Sequence, residues 1–300
     1  MGITQFNRKY ELTIGDPDST GIQISELNVR FTITKDLYGI PNIAEIDIFN
    51  LSQDSIAKIS GSILNLAMVF KAGYTGNVKT IFSGYVNNMF HLREGPEFIT
   101  RIYAKDGIRQ TNNGFTTKTF APGTSIQQII ETVVEDFPAL IKGAIETIDG
   151  SALSSTTYAG ATKDVLNRLA TTYGFQWSFQ NGALVIRSKD GADPDANAVV
   201  INRNTGMINS PTITEIGVDV QTLLNPDITP WRLIQVQSLT PNVQLGNLYF
   251  RKINRTLGNG FFRTNKVIHT GEYRGNPWYS TISARSFDVN AQAVTTPVAI

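Results

Sequence analysis

The stretch Thr162-Lys163-Asp164-Val165-Leu166-Asn167-Arg168-Leu169-Ala170-Thr171-Thr172-Tyr173-Gly174-Phe175-Gln176-Trp177-Ser178-Phe179-Gln180-Asn181-Gly182-Ala183-Leu184-Val185-Ile186-Arg187 changes its hydrophobic period once. Before Gly174, Val165, Leu166, Leu169, Ala170 and Tyr173 share one face at 3.6 spacing, which predicts a helix. Thr162 is the expected N-cap and Gly174 the expected C-terminal stop. After Gly174 the period becomes two: Phe175, Trp177 and Phe179 alternate with polar residues. Asn181-Gly182 then predicts a tight hairpin turn, because both central residues of such a turn need positive φ. Residues 183–187 form the return strand.

Upstream the same design recurs. Ile126, Ile129, Ile130, Val133, Val134 and Phe137 share a helical face that Pro138 ends. Thr124 as N-cap with Gln127 three positions on reads as a capping box. The entries to the two helices, 119–124 and 157–162, are alike at an offset of 38 residues, a weak internal repeat. Residues 113–190 therefore read as an α/β middle domain of two helix-containing halves and a β-hairpin.

Both flanks read as strands. In the first, Leu27, Val29, Phe31 and Ile33 alternate with polar residues, and Ala44, Ile46 and Ile48 do the same. Ser52 opens a short helix carrying Ile56 and Ile59, and strands are expected at 66–73, 78–85 and 98–104. In the second flank strands are expected at 212–224, 231–239, 248–253, 263–270 and 278–287. The fold class is α+β, mainly β: two small antiparallel β-barrels, 1–112 and 199–290, around the middle domain, with a small insertion near 226–262. Residues 291–300 hold Ala291, Val294, Val298 and Ile300 with no charge and read as an extended arm that contacts a partner.

Composition narrows the function classes. Of 300 residues 17 % are charged, and 26 Lys and Arg against 25 Asp and Glu leave a formal charge of +1. Such a chain has no field to grip a polyanion, although DNA could slide past it. Low charge density also suits a large area of subunit contact. With no cysteine, disulfides, thiolate zinc sites and cysteine nucleophiles are absent. Residues 1–9 contain no apolar core of a signal peptide, and the longest apolar stretch, 63–70, is far too short to span a bilayer. No membrane insertion is expected, and the chain is expected to be made and to fold in a cytoplasm.

Catalytic signatures are missing as well. His91 and His269 are the only histidines, too few for a multi-histidine metal centre, and both read as loop or turn residues. Neither a nucleophile elbow nor a phosphate-binding glycine loop occurs. Asp190, Asp193 and Asp195 lack the spacing of a calcium loop and read as a solvated linker. Phe175, Trp177 and Phe179 read as core rather than as a binding platform. Paired carboxylates need only spatial closeness, and the sequence points to no particular pair. No enzyme activity, cofactor or metal is expected.

Several local patterns together resemble the baseplate hub proteins of contractile-tailed bacteriophages, the Mu-like hub or late-control protein D group. They are Phe31-Thr32-Ile33-Thr34-Lys35 followed by Pro41-Asn42-Ile43-Ala44-Glu45-Ile46-Asp47-Ile48-Phe49-Asn50-Leu51-Ser52, then Lys71-Ala72-Gly73-Tyr74, Ile81-Phe82-Ser83-Gly84 and Ala104-Lys105-Asp106-Gly107. The paired-helix middle follows, and then Gly206-Met207-Ile208-Asn209-Ser210-Pro211, Leu223-Leu224-Asn225-Pro226-Asp227-Ile228-Thr229-Pro230 and Lys266-Val267-Ile268-His269-Thr270-Gly271-Glu272. The resemblance spans about residues 5–290 in order. Asn209 and Trp231 depart from it, since relatives often carry glycine there.

The resemblance implies a structural virion protein: a homotrimeric ring with two tube-type barrels per chain, adapting the sixfold tail tube above to a trimeric spike below. It implies contacts with other baseplate proteins, a channel for DNA and tape measure, and assembly in the host cytoplasm. The alternative is the hub-like base of a type VI secretion spike. That reading expects a β-helical needle, and no such repeats occur before Ile300. The 300 residues also leave no room for a fused lysozyme or peptidase. A tail-associated peptidoglycan-degrading enzyme is a third reading, which would need an acidic pair or a metal.

Overall fold

Alternation in the segment Val29–Asp36 sends Val29, Phe31 and Ile33 inward, and the same phase carries Lys35 inward after them. The computed structural model that shows this describes residues 7–16, 21–60, 66–193, 197–244 and 259–287. Its first block contains β1 (Arg8–Gly15), β2 (Gly21–Ile24), β3 (Val29–Asp36), β4 (Ile43–Phe49), α1 (Gln53–Ser60), β5 (Ala67–Tyr74), β6 (Asn77–Glu94) and β7 (Glu97–Lys105). The middle contains α2 (Ile108–Asn113), β8 (Phe115–Phe120), α3 (Ile126–Val134), β9 (Ile141–Ile145), β10 (Thr156–Ala161), α4 (Thr162–Tyr173), β11 (Phe175–Gln180) and β12 (Ala183–Ser188). The last block contains β13 (Val199–Ile201), β14 (Met207–Ile213), β15 (Gly217–Leu223), β16 (Leu233–Gln237), β17 (Asn242–Val243), β18 (Asn259–Glu272) and β19 (Trp278–Ser286).

The chain is mainly β, but the two strand-rich blocks are not separate closed barrels. They share one sheet in the order β17-β14-β15-β19-β18-β3-β4-β7-β6-β5-β1-β2, with β16 and β13 branching from β18. Among the described residues this ladder is open at both ends. The blocks meet where β18 pairs antiparallel with β3, from Lys266 opposite Asp36 to Glu272 opposite Arg30. Backbones and rings crowd this seam: a Cβ on Gly271 would lie 2.5 Å from Cζ of Phe31 and 2.7 Å from Cε3 of Trp278. Only glycine fits there.

Three apolar clusters lie under this frame. One fills the first block around Leu12, Phe31, Phe70 and Phe82, and takes Leu224 and Trp278 from the last block. A second joins α3, α4 and the β11–β12 hairpin. The third packs Ile201, Val220, Ile234, Val267 and Ile282. The two repeat-like entries of the middle are partners in space: β8 and β10 pair antiparallel with Thr119 opposite Thr157, and their hydroxyls lie 2.9 Å apart.

Local structure corrects several expectations. The cap of α3 is Ser125, whose Oγ accepts from the Gln128 N–H at 3.2 Å. Thr124 stands one residue before the cap, and its hydroxyl donates back to the Ala121 carbonyl at 2.8 Å. Gln127 makes no capping box. Its amide instead donates to Glu131 and accepts from the Ile148 N–H. Thr162 is not a cap either, since β10 runs straight into α4 with Ala161 at the N-cap position. The Thr162 hydroxyl is buried 3.0 Å from that of Thr116.

At the other end of α4, Gly174 has φ 72° and its N–H donates to the Ala170 carbonyl at 3.0 Å. The expected strand 212–224 is two strands, broken where the Thr214 and Gly217 backbones bond across a turn. The strand expected at 248–253 lies outside the described residues. So does the arm carrying Ala291, Val294, Val298 and Ile300. Asn209 and Trp231 both stand at positive φ, 62° and 66°. The chain keeps a glycine-type conformation there without glycine.

Candidate functional site

The most concentrated buried polar chemistry lies where the β11–β12 hairpin of the middle meets the ends of β3, β4 and β7. Asn181 and Gly182 form the hairpin turn with φ 54° and 89°. This turn points at three residues that the sheet brings together: Lys35 on β3, Asn42 before β4, and Asp106 just after β7. Lys35, Asn42 and Asp106 are each 1 % exposed. Lys35 Nζ donates to Asn181 Oδ1 at 2.9 Å. The Gly182 N–H donates to Asp106 Oδ1 at 2.9 Å. Asn42 Nδ2 donates to the Phe179 carbonyl at 2.6 Å, and Gln180 Nε2 to the Asp36 carbonyl at 2.9 Å.

Asn42 also stitches the sheet side together. Its Oδ1 accepts from the Asp36 N–H, its carbonyl from the Asp106 N–H, and its Nδ2 reaches Asp106 Oδ2 at 3.4 Å. Gly107 completes the fit at φ 66°, where a Cβ would lie 2.3 Å from Cδ2 of Phe179. Beside the junction, a cleft of about 450 Å³ opens between Leu37, Tyr38, Asn167, Trp177 and Lys189.

Burial governs the electrostatics. Desolvation pushes the Lys35 ammonium down to about 8, partly offset by the Asp106 charge. Desolvation pushes Asp106 up to about 6 against the opposing pull of Lys35, the Gly182 N–H and the Asn42 amide. His269 on β18 is also buried. Desolvation, aided by the Lys35 charge, takes it down to about 3, and its Nδ1 lies 2.8 Å from the Ser280 hydroxyl. His269 is therefore an interior strand residue rather than a turn residue. His91 is a strand residue too, on β6, stacked on Phe98 and bonded to Thr100. Phe175, Trp177 and Phe179 are core.

The opposite ends of the same strands carry a second polar cluster. Arg30, Asp47 and Arg101 stand side by side across β3, β4 and β7. Asp47 accepts from Arg30 at 2.8 Å and from Arg101 at 2.6 and 2.7 Å. Burial alone would raise the Asp47 carboxyl, but the two guanidinium groups outweigh it and hold it below the usual range. Among the described residues no group of three His, Cys, Asp or Glu could hold a metal.

This architecture has known counterparts. The profile of the family described as baseplate hub gp41 matches residues 10–250. The chain belongs to this family. It is a structural component of the phage tail baseplate, a virion-associated hub protein. Solved structures similar to the hub chain share its fold at low identity. A tail protein from Neisseria meningitidis MC58 is 8 % identical with a TM-score of 0.61, over 94 % of this chain and 97 % of that one. The 43 kDa tail protein of prophage MuSo2 from Shewanella oneidensis is 12 % identical with a TM-score of 0.61, over 92 % and 96 %. An E. coli component of the type VI secretion system, described as structurally similar to the T4 tail proteins gp27 and gp5, is 11 % identical with a TM-score of 0.56, over 88 % and 74 %. No curated protein matches the chain. Among the described residues no helix is long and apolar enough to cross a membrane.

Of the junction, the sequence points to Asn181 and Gly182 as structural residues, while Lys35, Asn42 and Asp106 stand there only inside the patterns that carry the resemblance. Its detectable signal is phase: Lys35 follows Ile33 by two, and His269 follows Val267 by two, so each polar residue falls on an inward position.

Proposed function

We propose that three copies of this hub chain form a ring at the distal end of the tail, each copy supplying two tube-type units, 1–112 and 199–290, around a middle unit at 113–190. Six similar units would then meet the sixfold tail tube, and a trimeric spike would seat on the opposite face. The observation that carries this reading is the pair of strand-rich blocks, each over its own apolar core and joined at the β3–β18 seam. The near-neutral chain suits a channel that passes DNA and tape measure without gripping them. In this reading Ala291, Val294, Val298 and Ile300 contact a neighbouring subunit or another baseplate protein, and assembly takes place in the host cytoplasm. The protein acts by assembly rather than by catalysis.

The test is light scattering of the purified protein with and without the tail tube protein. A species of three times the 33.0 kDa chain mass is expected. A monomer under both conditions would sink the trimeric hub. A second reading, the base of a type VI secretion spike, is favoured by the likeness to the E. coli secretion component. Finding the protein in purified phage particles decides for the tail.

A further inference from the structure

The middle unit is joined to the strand frame differently from the way the two strand blocks are joined to each other. The blocks share a ladder of seven residue pairs at the β3–β18 seam, and the first core takes in Leu224 and Trp278 from the last block. The core of the middle unit draws its side chains from residues 120–186 and none from either flank. Where the frame touches that core it does so with glycines, Gly39 beside Trp177 and Gly107 beside Phe179, which bring no side chain to bury. Next to these contacts the cleft of about 450 Å³ opens between Leu37 and Tyr38 on one side and Trp177 on the other.

The joint is therefore made mainly by hydrogen bonds, and two of them hold groups that are costly to bury. Lys35 bonds Asn181 Oδ1 and Asp106 bonds the Gly182 N–H, so each is tied to the hairpin turn rather than to the other. A buried charge gives up hydration that one hydrogen bond does not fully replace. Burial lowers Lys35 to about 8 and raises Asp106 to about 6, both in the direction that favours release to water. Undocking the hairpin rehydrates both groups and leaves the apolar cores and the seam intact. The two covalent connections also differ. The chain enters the unit through Gly107 at φ 66° and leaves it through residues 188–191. There the buried Arg263 donates to the carbonyls of Lys189 at 2.6 Å and Gly191 at 2.9 Å, which fixes the exit to the last block.

We infer that the middle unit is a hinged module: it separates from the frame as one body at the Asn181-Gly182 latch, pivoting on the exit held by Arg263, while the β3–β18 seam stays closed. Relative motion is the default between units whose interface is small and polar. A contiguous unit of this kind opens at a free energy below that of global unfolding. The module can thus change its pose against a partner without moving the shared sheet. The inference rests on the junction and not on the hub reading.

Asn181→Gly tests the latch. Glycine keeps the positive φ of the turn, and the substitution removes the acceptor of Lys35 from the docked state alone. The chain has no cysteine, so spin labels go only where cysteines are introduced. Lys58→Cys on α1 with Gln128→Cys on α3 reports across the latch, and Lys58→Cys with Asp219→Cys on β15 reports across the seam. Distances are read by double electron–electron resonance on the full chain, diluted in unlabelled chain so that only pairs within one chain count. The latch pair is expected to show one main distance and a minor second one. In Asn181→Gly the ratio of the second to the first should rise about tenfold or more, as when a buried charge loses a hydrogen bond, with the seam pair unchanged. An unchanged latch distribution in Asn181→Gly, with a cooperative melt proving that it is folded, overturns the inference. So does equal broadening of both pairs, the mark of general loosening. If Asn181→Gly does not fold, Gln180→Ala, which removes the bond to the Asp36 carbonyl, decides by the same readings.

Discussion

Strands β3, β4 and β7 carry opposite charges at both of their ends, and the two ends are built differently. At one end Arg30, Asp47 and Arg101 are cross-strand neighbours that touch directly, and the arginine side chains stay in contact with solvent. At the other end Lys35 and Asp106 are buried, and their hydrogen-bond partners include an amide and an N–H from the middle unit. The first cluster is complete within the sheet. The second is complete only when the hairpin is docked. Charge at the open end therefore supports strand pairing, whereas charge at the closed end fixes where a neighbouring unit sits.

The comparison is most exposed to Lys35→Met, which removes the buried cation at nearly constant volume. It removes the donor to Asn181 Oδ1 and the charge that favours the Asp106 carboxylate, and a loss of about 2–3 kcal/mol is expected, as when a buried polar group loses its partner. Urea unfolding checks this. A loss no larger than that of Asp47→Asn would erase the distinction between the ends.

Acid titration sharpens the contrast within the closed end. His269 has its folded pKa lowered to about 3, so its contribution is whole above its ordinary value of 6.5 and fades as pH falls toward 3. Asp106 has its folded pKa raised to about 6, so its contribution is whole below its ordinary value of 3.8 and fades as pH rises through 6. Between about pH 4 and 6 the two oppose each other. His269→Gln should make stability less sensitive to acid in that window, and Asp106→Asn more sensitive. Denaturation midpoints across the window would refute the assignment if both slopes moved the same way.

How much of this was legible in the sequence depends on the range of each interaction. The helix faces, the Asn181-Gly182 turn and the alternation through Ile33 follow from neighbours a few residues apart. The junction joins residues 35, 42, 106 and 180–182, and no local period links them. The cap of α3 was a choice between adjacent hydroxyls, Thr124 and Ser125, and the helix starts one residue later than the capping-box pattern placed it. The strand pair β8–β10 is rich in threonine and shows no apolar alternation, so it was invisible except as a repeat. Two closed barrels were expected because strand count and turn spacing do not reveal that β18 would pair with β3.

At the open end smaller effects are expected. Asp47→Asn should lose about 1–2 kcal/mol, because its hydrogen bonds are charge-assisted but the arginines can rehydrate. Its acid loss belongs to a lower window: the folded pKa lies below the ordinary one, so the contribution holds above 3.8 and fades as pH drops beneath it. Glu94→Gln, at the exposed edge of the same cluster, should change stability by less than about 0.5 kcal/mol. Thermal melts at low and high salt measure both. A larger effect at Glu94 than at Asp47 would show that the cluster is held from its rim.

The seam between β18 and β3 also sets a timetable for synthesis. Its two strands lie about 230 residues apart, so at roughly 5–20 residues per second β3 waits on the order of ten to fifty seconds for its partner. During that interval its outer backbone edge is unpaired and open to another nascent chain. Lys35 and Asp36 stand at the end of this waiting edge, and their charges penalise a wrong strand that tries to add there.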